Sequence, residues 1–170
     1  MILNWAWDSS HVIFAVAILL LLWWVIGREL NRRRVRTLVT ALRAALPALG
    51  SGGEFRPVGN SAFQVTVTKP AGPIASATLL CLLEAREYPL VQVWTRLRGR
   101  YDQMILRCDF TVPPREKRQA TPEGVERLTL CALQPATPHL QLSFAVPPGR
   151  EEQIGKAFAA AAALAAQTGA

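Results

Sequence analysis

The stretch VIFAVAILLLLWWVI occupies residues 12–26 and carries no charged side chain. We call it the apolar stretch. Adding the residues from position 5 onward lengthens the predicted helix to about 22 residues, enough to cross a hydrocarbon core of ~30 Å. Indole rings favour the headgroup regions of a bilayer, and tryptophans stand at both ends of this helix: Trp5, Trp7, Trp23 and Trp24. The sequence therefore predicts one membrane-spanning helix.

Charge is distributed unequally on the two sides of the apolar stretch. Asp8 is the only charged side chain before it, whereas six arginines and a single acid, Glu29, lie within residues 28–43. Because basic flanks stay in the cytoplasm, we expect a single-pass protein of the cell membrane with its N-terminus outside and its C-terminal domain cytoplasmic. The predicted segments are a short extracytoplasmic tail at 1–10, a transmembrane helix at 11–27, a basic neck helix at 28–50 and a cytoplasmic domain at 54–167.

The neck has two different faces. Apolar side chains at helical spacing predict a stripe that packs on the chain's own domain or, as the alternative, on a partner. The stripe consists of Val35, Leu38, Val39, Leu42, Ala45, Leu46 and Leu49. We predict that the arginines contact membrane lipids, at ~1 kcal/mol per cation near an anionic surface. This lipid-facing set is Arg28, Arg32, Arg33, Arg34 and Arg36.

The remainder of the chain predicts an α+β domain. Short connections favour an antiparallel sheet of about five or six strands, with helices on one face. A hairpin turn is expected at 99–102, and an Ala-rich C-terminal helix at 150–167. Alternating or continuous apolar patterns place the strands at 63–68, 77–84, 91–97, 103–110, 126–133 and 140–146. The buried stripe of the C-terminal helix is expected to be Ile154, Phe158, Ala161, Ala162 and Ala165.

Composition excludes a disulfide-rich or zinc-ribbon protein. The three cysteines, Cys81, Cys108 and Cys131, are far apart in the sequence and each stands in an apolar run, so we expect buried free thiols. Arg outnumbers Lys by sixteen to three. Arg suits phosphate recognition, although a GC-rich genome would give the same bias.

Residues typical of catalysis are scarce. The two histidines, His11 and His139, have no partner at metal-ligand spacing, and no nucleophile or nucleotide-binding motif occurs. We therefore predict no catalytic residue, no metal and no cofactor. Carboxylates within the strand region are interpreted as local charge pairs on a solvated face: Glu84, Glu87, Asp102 and Asp109.

Arginines alternate with aromatic residues around the expected hairpin, an arrangement that can stack bases and bind phosphates. The surface would meet RNA, a ribosome, acidic lipid or a protein partner; the alternative is the ordinary polar face of a half-buried sheet. The candidate RNA or partner face consists of Trp94, Arg96, Arg98, Arg100, Arg107, Arg115, Lys117 and Arg118.

Four short segments resemble calumin, the coiled-coil-domain-containing subunit of the PAT complex, which chaperones multipass membrane proteins at the ribosome–translocon. They are Val25-Ile26-Gly27-Arg28 with Asn31, Phe55-Arg56-Pro57-Val58-Gly59, Arg100-Tyr101-Asp102 and Phe144-Ala145-Val146-Pro147. The resemblance implies an outside N-terminus, one span and a cytosolic α+β domain. The family's acidic outer region and long charged C-terminal helices have no counterpart here, so neither a calcium role nor ribosome contact carries over by residue.

These observations leave three hypotheses. The first is a non-enzymatic accessory protein that assists the insertion or folding of multipass membrane proteins, with the ribosome, translocon or insertase subunits and multipass clients as partners. The second is a structural or assembly subunit of a membrane complex without ribosome contact. The third is an enzyme whose site the sequence does not reveal.

Overall fold

A long N-terminal helix, a seven-stranded antiparallel sheet and a C-terminal helix make up the fold, which confirms the predicted α+β class. The computed structural model describes residues 9–59, 61–122 and 124–169. The first eight residues, with Trp5, Trp7 and Asp8 of the predicted outer tail, lie outside the described part.

Helix α1, Ser9–Ala45, runs without interruption from the apolar stretch through the predicted neck. Its most apolar window has a mean hydropathy of 2.1, and only 6% of that window is buried. At 1.5 Å per residue the helix is about 55 Å long. It is thus long and apolar enough to cross a membrane and still extend along the domain.

The sheet has the strand order β1-β2-β3-β4-β7-β6-β5, with antiparallel neighbours throughout. A 3-10 turn at Leu46–Ala48 leads from α1 into it. The strands are β1 Gly50–Pro57, β2 Ala62–Pro70, β3 Ile74–Leu82, β4 Asp102–Phe110, β5 Arg118–Gln119, β6 Leu128–Leu133 and β7 Leu140–Val146. The other helices are α2 Pro89–Leu97 and α3 Glu152–Gly169.

Five of the predicted strands are confirmed, and two further strands account for the larger count. Strand β1 begins at the predicted end of the neck, and β5 lies between the predicted strands at 103–110 and 126–133. Neither strand shows the alternation of apolar and polar residues that is typical of a half-buried strand. Both lie at an edge of the sheet, where backbone hydrogen bonds pair each with a single neighbour. Glycine at position 53 suits this place, since a Cβ there would lie 3.1 Å from the Leu46 side chain.

The strand predicted at 91–97 is wrong: these residues form helix α2. Proline at position 89 suits the first turn of a helix because its missing N–H has no partner there. The expected hairpin turn is instead a helix C-terminus. Gly99 has a φ of +62°, and the Arg100 N–H donates to the Thr95 carbonyl at 2.9 Å, as in a Schellman motif.

The core lies between one face of the sheet and the helices α1 and α3. Leu38 and Leu42 of α1 are buried, as the predicted packing of the neck stripe on its own domain requires. The predicted stripe of α3 is buried at Ile154, Phe158 and two of its alanines, and half-buried at Ala162. The cysteines are free and buried, as predicted. We call the opposite side of the sheet the outer face.

Replacing Leu38 with Ala should lower the free energy of unfolding by about 2–5 kcal/mol, because it leaves a cavity where the neck meets the sheet. The measurement is thermal unfolding of the full chain in detergent. Arg36→Ala, an exposed change on the same helix, is the control. Equal effects of the two changes would contradict the packing of the neck in the core.

Candidate functional site

Five charged side chains meet where α1 leaves the apolar stretch and reaches the sheet. They come from α1, from the segment between β3 and α2, from the start of β4 and from the residue before α3. We call this set the neck cluster. It consists of Arg34, Glu84, Arg86, Asp102 and Glu151.

Asp102 is the centre of the neck cluster and is 2% exposed. One carboxylate oxygen accepts a hydrogen bond from Nε of Arg34 at 2.6 Å. The other accepts one from the Glu84 backbone N–H at 2.9 Å and one from Arg86 at 3.1 Å. Because each carboxylate oxygen accepts at least one hydrogen bond, the Asp102 side chain is held in one position.

Arg86 joins α1 to the segment before α2. Its guanidinium donates to Oδ1 of Asn31 on α1 at 2.9 Å and lies 3.4 Å from a Glu84 carboxylate oxygen. Oε1 of Glu84 in turn accepts from the Thr95 hydroxyl of α2 at 3.1 Å. One hydrogen-bonded path therefore runs from α1 through this segment into α2.

Arg34 makes the connection to the C-terminal part of the chain. It donates to Glu151 and, at 2.8 Å, to the Val146 carbonyl at the end of β7. Burial would raise the pKa of Glu151, but the backbone hydrogen bonds that it accepts and the Arg34 charge lower that pKa below its ordinary value. The ionised form of Glu151 is thus the one that the fold stabilises.

A close backbone contact reinforces the same junction. A Cβ on Gly27 would lie 2.3 Å from the Arg86 carbonyl oxygen and 2.9 Å from the Glu87 Cα. Only glycine lets this segment approach α1 so closely. The approach brings the neck cluster to the end of the apolar stretch.

The structure corrects two predictions about these residues. Arg34 was expected to face lipid, yet it is 8% exposed and forms buried ion pairs. The interpretation of the strand-region carboxylates as members of a solvated face is wrong for Glu84, Glu87 and Asp102, which form ion pairs or lie buried. The burial of Arg34 and Asp102 agrees with their spacing in the sequence. Arg34 precedes the core residue Leu38 by one helical turn, and Asp102 points to the same side of its strand as Met104 and Leu106.

The other arginines of the predicted lipid-facing set are exposed on α1. Arg28 lies over the Trp24 ring at 5.4 Å, and Arg33 pairs with Glu29 at 3.1 Å. Arg32 and Arg36 are also exposed. Contact of these four side chains with lipid stays a prediction.

The predicted RNA or partner face is divided among three places. Trp94, Arg98 and Arg100 belong to helix α2 or directly follow it. The Arg98 guanidinium lies 4.2 Å from the centroid of the Trp94 ring. The Arg96 side chain lies outside the described part. Arg107 is exposed on the outer face. Arg115, Lys117 and Arg118 follow the far end of β4, about 26 Å from its start at 3.3 Å per residue. The described residues of this set therefore do not form one continuous face, because α2 replaces the hairpin that would have brought them together. Their contact with RNA or a partner stays a prediction.

The histidine and the cysteines described next are buried and have structural roles. The His139 Nδ1 accepts a hydrogen bond from the Phe110 backbone N–H at 2.8 Å. Burial, and then the charge of Asp109, raises the pKa of the Cys108 thiol to about 12. Burial also raises the pKa values of Cys81 and Cys131. The three thiols are therefore weak nucleophiles. Within the described residues, no group of three His, Cys, Asp or Glu side chains has the arrangement of a metal site.

No protein-family model matches the chain, and no curated protein or solved structure matches it either.

Asp102→Asn should destabilise the folded chain by about 3–5 kcal/mol, because two buried guanidinium groups lose their shared counter-charge. Thermal unfolding in detergent measures the effect. Asp109→Asn is the matched control, since Asp109 lies on the same strand but is only half-buried and accepts from Ser76. An Asp102→Asn variant as stable as this control would contradict the structural role of the neck cluster.

Glu151→Gln should reduce stability in a pH-dependent way. Since the folded-state pKa of Glu151 lies below its ordinary value of 4.5, its contribution is fully present above that pH and is lost as the pH falls through the folded-state value. Unfolding of the variant and the original chain, compared across this range, should converge in acid. A difference that grows on acidification would contradict the sign of the shift.

Proposed function

We propose that this chain is a non-enzymatic, single-pass membrane protein that serves as an assembly subunit of a membrane complex. Its N-terminus would be outside and its sheet domain cytoplasmic, as the arginines after the apolar stretch indicate. The observation that carries the proposal is the rigid connection between the two parts. Helix α1 continues from the apolar stretch into the domain core, and the neck cluster holds it there.

A tether alone does not require such a connection. A flexible linker keeps a domain near a membrane and leaves its orientation free. Here the part of α1 after residue 27 is about 27 Å long at 1.5 Å per residue, which matches the roughly 26 Å length of β4 at 3.3 Å per residue. The neck contacts both ends of the sheet: Arg34 binds Asp102 at the start of β4, and the Leu49 carbonyl, just after α1, accepts from the Ala71 N–H after β2. These contacts fix the orientation of the domain relative to the helix.

Buried charges support the same conclusion. Desolvation of ion pairs often cancels their attraction, so such clusters are frequently worth little net stability compared with apolar packing. The neck cluster does, however, fix α1 relative to β4, β7 and the segment before α2. Both guanidinium groups bind Asp102, Arg34 also binds the Val146 carbonyl, and Arg86 joins this segment to Asn31 of α1. An orientation fixed in this way suits a subunit that aligns a membrane-embedded partner with a cytoplasmic one.

The narrower role suggested by the resemblance to calumin is assistance to multipass membrane proteins near the ribosome or translocon. That role would draw affinity from a continuous basic surface meeting RNA. The basic residues are instead spread over α2, the outer face and the far end of the sheet. This distribution favours the assembly role with a protein partner.

Site-specific photo-crosslinking in native membranes tests the proposal. One photo-reactive residue replaces Ile18, which is 57% exposed in the apolar stretch, and in a second variant one replaces Leu130, which is 36% exposed on β6. Because the two positions belong to one rigid body, we expect both to crosslink to subunits of the same complex, in constant ratio and at high salt.

The outcomes separate the hypotheses. Crosslinks to ribosomal proteins that disappear at high salt would favour the narrower role. The absence of any stoichiometric partner at both positions, or recovery of the chain in the soluble fraction, would contradict the assembly role. Matched variants with the photo-reactive residue at buried Leu142, which should not crosslink to another chain, control for non-specific capture.

A further inference from the structure

Helix α2 is oriented with its apolar side away from the protein. Leu90 is 85% exposed and Leu97 is 78% exposed, with Val93 and Trp94 more than half exposed between them. Positions 90, 93, 94 and 97 share one face of a helix. We call these four side chains the α2 ridge.

The opposite side of α2 is the polar one, and it faces the domain. Gln92 is buried, and the half-buried Thr95 donates to Glu84 of the neck cluster. A surface helix of a water-soluble domain has the reverse arrangement, with its apolar side on the core. The α2 ridge is therefore built to meet an apolar environment outside the described chain.

The position of α2 indicates which environment this is. The backbone of Arg86 and Glu87 contacts α1 at Gly27, one residue after the apolar stretch ends. Helix α2 begins at position 89, and three residues span at most about 10 Å. The α2 ridge thus starts close to the level at which α1 would leave the hydrocarbon region.

Charge and composition agree with a lipid surface. Arg98 stacks on the Trp94 ring at 4.2 Å, and Arg28 stacks on Trp24 of α1 at 5.4 Å. Both rings are partly exposed and both carry a cation at one side. Tryptophan and arginine in this combination are typical of the region between the acyl chains and anionic headgroups.

From these observations, and resting on the proposed membrane anchoring, we infer that α2 is a second membrane contact. It lies in the cytoplasmic leaflet with the α2 ridge among the acyl chains of an anionic phospholipid bilayer. At nine residues α2 is too short to cross the bilayer, so it lies along the surface. Together with α1 it defines a plane and prevents rotation of the sheet domain about the α1 axis.

Fluorescence of the full chain in nanodiscs of phosphatidylcholine and phosphatidylglycerol tests this inference. The signal of Trp94 is the difference between the original chain and Trp94→Phe. We expect this difference to be blue-shifted, to be lost when the lipids carry a quencher near the headgroup end of the acyl chain, and to resist aqueous iodide. Trp24→Phe provides the reference for a ring at the end of the apolar stretch.

A second pair of variants separates lipid contact from folding. Leu90→Glu with Leu97→Glu should abolish lipid quenching of Trp94 without changing thermal unfolding, since both side chains are largely exposed. Leu130→Glu, an exposed change on β6, should leave the quenching intact.

Three results would overturn the inference. The first is a red-shifted Trp94 signal that iodide quenches, with the chain still held in the disc; the proposed anchoring would then stand while the lipid contact of α2 fails. The second is a blue-shifted signal that neither quencher reaches, which would indicate a protein contact such as a second copy. The third, failure of the chain to enter the disc, would overturn the anchoring as well.

Discussion

The buried carboxylate of Asp102 joins helix α1 to the sheet domain. Two arginines that approach from different directions share it, and a backbone N–H completes its coordination. Removal from water makes each charge costly to leave unpaired, so the three elements that supply these groups must be present together. The contact of α1 with β4 and the position of the segment before α2 depend on this arrangement.

Helix α1 runs from the apolar stretch into the domain without interruption over its described length, Ser9–Ala45. Membrane helices are often joined to soluble domains through polar linkers, whereas here the helix that leaves the apolar stretch is itself a core element of the domain. Leu38 and Leu42 pack between the sheet and α3. The contacts of Arg34 with β4 and β7 fix the position of α1 along the sheet. Apolar packing supplies the stability, and the ionic contacts determine the orientation.

Much of the fold could be predicted from local patterns, and the candidate site could not. Period-two alternation located the strands that bury one face, such as β4 and β7, because that pattern reports burial directly. Strand β1 has no such pattern, since its pairing uses the backbone. Helix α2 was mistaken for a strand because its exposed apolar residues satisfy either period over so short a length. Helical and strand spacing indicate that Arg34 and Asp102 each face the core. The neck cluster joins residues far apart in the chain, however, and no spacing rule predicts that these two side chains meet.

The long separations within the neck cluster have a consequence for synthesis. The two acidic partners of Arg34 lie 68 and 117 residues later in the chain, and the second of them directly precedes helix α3. While the ribosome is still making the sheet, the C-terminal half of α1 therefore has neither its counter-ions nor the surface that covers its leucines. The neck cluster is completed only after residue 151 has been translated, so until then the nascent neck needs protection from premature association.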